Sequence, residues 1–155
     1  MAPWAPLLLF VATLLPAALL PMDENGFQKT VAAHQGKVVL YNFWATYCLP
    51  CRKEMPDMLK LQTKLAARGF DLVLISADEP EQEATAEKIL KQNGANGKLY
   101  RKTPKNDEAF INAIDRQWSG ALPASFLYDR KGRKVRSFIG EADMKALEAA
   151  ILKLL

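Results

Sequence analysis

Two cysteines and one histidine are the whole supply of soft metal ligands in this chain of 155 residues. A closed structural zinc site takes four ligands, commonly two cysteine pairs or one pair with histidines, so the count excludes that class. Solenoid-period repeats and low-complexity stretches are absent as well, which removes repeat architectures and disordered linkers. The charge balance is not extreme: 21 Lys and Arg stand against 17 Asp and Glu, for a net +4. One basic excess gathers at Lys98, Arg101, Lys102 and Lys105, and a second at Arg130, Lys131, Arg133, Lys134 and Arg136. The second straddles Gly132 in an expected hairpin with no interleaved aromatics, and reads as solvated surface, not as a nucleic-acid site.

Charge is missing altogether from Ala2 to Met22. Leu7 to Leu15 (LLLFVATLL) is long enough for the apolar core of a signal peptide. No Lys or Arg precedes that run. Pro3, Pro6, Pro16 and Pro21 interrupt a segment that barely reaches the roughly 20 residues a bilayer requires. Residues 1–22 are expected to be a signal peptide or a membrane anchor and residues 23–155 one domain, the alternative for the leader being a buried N-terminal helix. Hydrophobic residues make up 50% of the chain and charged ones 25%, enough for one well-filled core.

After the polar link Asp23 to Gly26, Phe27 to Gln35 is either a short helix or a loop. Val38 to Trp44 (VVLYNFW) is a run of β-branched, aromatic and apolar residues, the pattern of a strand buried on both faces. Between Leu49 and Ala67, Met55, Met58, Leu59, Leu61 and Leu65 recur at helical spacing, with Pro56 as a kink and Gly69 as a stop. Asp71 to Ser76 is a second buried strand and Asp78 to Asn93 a helix opening on acids. Gly94 to Tyr100 is a loop leading to a brief strand, and Asn106 to Ile114 a short helix. Ser125 to Tyr128 and Lys134 to Ile139, the latter alternating as a half-exposed strand does, form a hairpin about DRKG, and Asp143 to Leu155 is an amphipathic helix. Early crossover units and a late hairpin predict an α/β fold with a mixed sheet and helices on both faces.

Both cysteines fall in CLPC, between the first buried strand and the helix that follows. As a staple, a disulfide closing so short a ring stabilises by only about 2 kcal/mol. As redox chemistry the placement is apt, because free N–H groups and the positive end of a helix dipole stabilise a thiolate. Cys48, at the first turn, is the expected nucleophile, and Cys51, one turn in, the resolving thiol. An inert pair and a two-thiolate copper(I) site are the alternatives; His34 alone is more often a helix-end residue than a ligand.

The segment VVLYNFWATYCLPCRKEMP, Val38 to Pro56, with LVLISADE from Leu72 and GALPASFLYDRKGRKV from Gly120, resembles the thioredoxin-like thiol–disulfide oxidoreductases of the TlpA/ResA type. The resemblance spans roughly residues 25 to 155. It implies a thioredoxin fold, Cys48 and Cys51 as the catalytic pair, and Trp44 packed beside them. It also implies a cis-proline at Pro123, preceded by Leu122, where the backbone pairs with bound peptide; Leu49 and Pro50 tune the site. Pro56 matches the family's helix-kinking proline.

At Glu54 the same resemblance implies a carboxylate that moves protons between the thiols. A solvated helix glutamate near Lys53 is the other reading. Asn42 stands where thioredoxins proper have a buried Asp. Expected partners are disulfide-bonded client proteins, apocytochrome c among them, and a membrane thiol–disulfide reductase as electron donor. The expected location is the periplasm or the extracytoplasmic membrane face, and the expected state a monomer without cofactor. Oxidase or isomerase activity is the alternative within the same chemistry.

Overall fold

The structure is a computed structural model that describes residue 1 and residues 19–155. Most of the expected leader, residues 2–18, lies outside the described residues. The remainder is a six-stranded sheet crossed by five helices. In chain order these are β1 (Leu20–Met22), α1 (Glu24–Ala33), β2 (Val38–Trp44), α2 (Leu49–Leu65), β3 (Phe70–Ser76), α3 (Glu83–Gln92), β4 (Tyr100–Lys102), α4 (Asp107–Ile114), β5 (Ala124–Tyr128), β6 (Lys134–Ile139) and α5 (Met144–Leu152). The spatial order is β1-β4-β3-β2-β5-β6. The first four neighbours run parallel, while β5 and β6 are antiparallel additions beside β2. The mixed sheet and the helix order agree with the pattern read from the sequence.

β2 is buried at every position, and its alternation feeds two cores. Val39, Tyr41 and Phe43 face Phe27 of α1 and Phe110 and Ile114 of α4, with Phe126 of β5 alongside. On the other face, Val38 and Leu40 meet α2 and α5, and Trp44 meets Met55 of α2 and Ala86, Ile89 and Leu90 of α3. Each fully buried side chain of this size contributes roughly 1.5–3 kcal/mol, so this strand is the axis of the fold and sets where its C-terminal end points.

Three local features differ from the expectation. Leu20–Met22, placed in the leader by composition, pairs in parallel with Tyr100–Lys102, and Leu19 is buried against Trp44. The sheet thus takes in residues before Asp23, whose side chain caps α1 by accepting from the Gly26 N–H at 2.7 Å. Asp78 is outside any helix: Pro80 holds Glu79 extended, residues 80–82 form a single 3₁₀ turn, and α3 starts only at Glu83. β6 is largely exposed, not half-buried, and its Lys134 and Arg136 are the charged side chains that protect a sheet edge.

Candidate active site

β2 delivers Trp44 and Ala45 to the C-terminal edge of the sheet, where the chain turns into α2. Cys48 is the N-cap of that helix. Its N–H donates to Ala45 O at 3.1 Å, its carbonyl accepts from the Arg52 N–H at 3.2 Å, and its sulfur accepts from the Cys51 N–H at 3.3 Å. Pro50 follows in the first turn, where a missing N–H costs nothing. No acid occupies that turn to oppose a thiolate. Cys48 and Cys51 are joined as a disulfide with Cα atoms 5.3 Å apart. Cys48 retains 8% of its surface and Cys51 2%.

Glu54 is not a solvated helix residue. It is 5% exposed, and Lys53 reaches Glu141 instead, at 3.4 Å. One Glu54 oxygen accepts from the Ala142 N–H at 3.0 Å and the other from Asn42 Nδ2 at 3.5 Å. Asn42 also donates to Ser125 Oγ at 2.9 Å, its direct neighbour across the β2–β5 pair. Desolvation, aided by the charge of Glu141, raises the Glu54 pKa above its ordinary 4.5, against the opposing pull of the Ala142 N–H and the Asn42 amide. A carboxyl so placed lies one turn beyond Cys51, with its protonated form favoured by burial.

Trp44 is fully buried in the apolar cluster that holds both cysteines. Its indole N–H has no hydrogen-bond partner among the described residues. Leu122 packs against that same cluster, and the Leu122–Pro123 peptide is cis. The Pro123 carbonyl accepts from Gly140 N–H at 2.8 Å, whereas the backbone of Leu122 carries no hydrogen bond among the described residues. Leu49 is 74% exposed and Pro50 is exposed beside it.

Two contributors escaped the sequence reading. Asp78, 2% exposed, accepts from the Thr46 N–H and hydroxyl and from Ser76 Oγ, pinning the turn that carries Cys48. Tyr47, 74% exposed, projects next to Cys48, and an aromatic immediately before the CxxC was the available signal. His34 is not brought to the cysteines. It caps α1 with Nδ1 2.7 Å from Thr30 O and Nε2 3.4 Å from Asp71, at the end of β3 remote from the CLPC turn. Among the described residues, no group of three or more His, Cys, Asp or Glu converges as a metal site.

A cysteine pair at a helix N-terminus, a cis-proline loop on the same cluster and a central mixed sheet make a thioredoxin-type redox site. The Redoxin family model matches residues 11–151. The chain belongs to the Redoxin family. Among Redoxin relatives, the thiol-disulfide oxidoreductase ResA of Bacillus cereus is 35% identical over 132 residues, covering 85% of this chain and 72% of the relative. That of Halalkalibacterium halodurans is 32% identical over 118 residues, covering 76% and 62%. Of solved structures, a thiol:disulfide interchange protein of the thioredoxin family from Chlorobium tepidum superposes with a TM-score of 0.65 at 28% identity, covering 79% of this chain and 83% of that one. This Redoxin member is a thioredoxin-fold thiol–disulfide oxidoreductase with its cysteine pair at positions 48 and 51.

Proposed function

We propose that this oxidoreductase works reductively, outside the cytoplasm, on the disulfides of client proteins. The observation that carries the reading is a helix-capping Cys48 with Cys51 shielded one turn behind it and the buried Glu54 one turn further. In the reduced enzyme the Cys48 thiolate attacks one sulfur of a client disulfide. A Cys48–client bond forms, the client S–S bond breaks, and the departing thiolate takes up a proton. The Cys51 thiol gives its proton to Glu54 and attacks Cys48 Sγ, so the Cys48–Cys51 bond forms and the second client thiolate leaves. The client gains two electrons and the enzyme loses two, to be restored by a dithiol donor such as a membrane thiol–disulfide reductase. No cofactor takes part.

Trp44 supports the cysteines from beneath, Leu49 and Pro50 present the outer surface, and the free Leu122 backbone beside Pro123 offers a passing client strand an N–H and a C=O. The apolar residues before Leu19 supply export or an anchor to the extracytoplasmic face, where apocytochrome c is a fitting client for a monomeric enzyme of this kind.

Insulin reduction tests the reading: the wild type accelerates it and Cys48→Ser abolishes it. Cys51→Ser holds its natural client as a stable mixed disulfide that identifies the partner. Equilibration with glutathione gives the direction, a potential near about −270 mV marking a reductant and one near about −120 mV an oxidant. A value at the oxidising end, or tight copper(I) binding by a reduced protein that leaves insulin intact, overturns the proposal.

A further inference from the structure

The turn that carries Cys48 forms one wall of an open groove of about 540 Å³ between the start of α2 and the exposed side of α3. Thr46 and Tyr47 line it from the turn, Arg52 from α2, and Thr85, Lys88 and Ile89 from α3. None of its lining residues is acidic. Arg52 and Lys88 are both exposed, and neither forms an ion pair or a side-chain hydrogen bond among the described residues. Basic residues nearby are spent differently: Lys53 is paired with Glu141 at 3.4 Å, and Arg101 with Glu83 of α3 at 2.9 Å. The buried carboxylate of Asp78 is enclosed by Thr46 and Ser76.

The groove therefore places two uncompensated positive charges beside an aromatic ring, next to the nucleophile. A client held in the mixed disulfide has its own cysteine fixed at Cys48. At about 3.3 Å per extended residue, the two or three residues flanking that cysteine lie over Tyr47 and reach the Arg52 and Lys88 side chains. We propose that this groove selects clients, favouring disulfides whose cysteine is flanked within about three residues by Asp or Glu. The inference rests on the reductive reading above and adds to it a recognition chemistry, in which Arg52 and Lys88 set specificity. Two exposed ion pairs amount to roughly a twofold to thirtyfold preference at low salt. Exposed charges gain little by affinity and more by steering the encounter, so the preference is to be read in association rates.

The test uses the pre-reduced full chain and two synthetic peptides, each closed by one disulfide and identical except for Glu-Glu or Lys-Lys beside the first cysteine. Second-order rate constants for peptide reduction are measured by acid quench and chromatography. The Glu-Glu peptide is expected to react about two to thirty times faster at low salt. In about 1 M KCl, where the screening length falls to about 3 Å, the two rates converge. Lys88→Glu, a change on an exposed helix position that brings the groove's charge to zero, abolishes the preference, and Arg52→Gln diminishes it. Equal rates in the wild type at low salt, or a ratio untouched by Lys88→Glu and Arg52→Gln alike, overturn the groove proposal and leave the reductive reading standing. Reduction of neither peptide overturns the reductive reading, and the selectivity proposal with it.

Discussion

Asp78 holds Thr46 at three points: its carboxylate accepts from the Thr46 backbone N–H at 3.0 and 3.1 Å and from the Thr46 hydroxyl at 2.7 Å. Ser76 Oγ donates to the same carboxylate at 2.8 Å. The acid leaves the end of β3, and the threonine lies two residues before the nucleophile. One buried side chain thus ties the neighbouring strand to the turn that aims the Cys48 sulfur, and accuracy at that sulfur is inherited from the rigid sheet.

Asp78→Ala strands a backbone N–H and two hydroxyls in a buried site, where an unmade hydrogen bond costs about 1–3 kcal/mol. The expected loss is about 3 kcal/mol by denaturant unfolding, with a slower reaction at Cys48. Asp78→Asn, which keeps one acceptor, should fall between. A variant Asp78→Ala unfolding at the wild-type midpoint would show that the three contacts are incidental.

Glu54 is the next point of leverage, because its burial is unfavourable to the charged form. Its folded pKa is raised above 4.5, so the folded state binds more protons than the unfolded one in that interval. Stability therefore falls as pH rises from about 4.5 through the raised value. Glu54→Gln removes that cost: it should be at least as stable as the wild type at pH 7 and lose that pH slope. Its rate of mixed-disulfide resolution should drop roughly 10²-fold, at the low end of what a positioned base supplies. Unchanged resolution kinetics would exclude Glu54 from proton transfer.

His34 and Asp71 give the opposite end of the sheet its own pH dependence. The Asp71 carboxylate and the Thr30 carbonyl raise the His34 pKa above 6.5, although burial works against them. The same contact, with Lys37, lowers Asp71 below 3.8. The histidine's share of stability is complete below pH 6.5 and is lost as pH rises through its raised folded value. The aspartate's share is present above pH 3.8 and is lost as pH falls through its lowered one. The pair is worth most between those limits. Urea midpoints of His34→Gln should lack the decline that the wild type shows above pH 6.5; parallel curves would refute the linkage.

Tyr47 and Leu49 flank the nucleophile with 74% of each surface open to water. Such apolar area gains only when a macromolecular partner covers it. Replacing either by Ser should slow reduction of a protein disulfide severalfold more than reduction of a small one such as hydroxyethyl disulfide. Identical losses on both would place these side chains outside client recognition.

Much of the architecture was legible in the chain. β2 announces itself because a strand covered on both faces is a nearly continuous apolar run, and VVLYNFW is one, broken only by Asn42. Leu20–Met22 carried no such signal: three residues containing a proline hold no period, and they become a strand only because Tyr100–Lys102 lies alongside. Asp78 was misplaced for a related reason. Acids followed by a proline mimic a helix start, and only the proximity of Thr46 reveals that the carboxylate serves the turn instead.

By itself the sequence determined the chemistry available: two thiols one turn apart, set between a buried strand and a helix, with a carboxyl three positions on. Those relations are local, and helical geometry enforces them wherever the segment is placed. Only the tertiary structure decided which groups act together. Glu54 became buried because β6 leads into the Ala142 turn above it and β2 places Asn42 below. Leu122 and Pro123 reached the cysteine cluster from more than seventy residues away because β5 pairs with β2. Such meetings depend on how distant elements share one core, and no spacing along the chain encodes them.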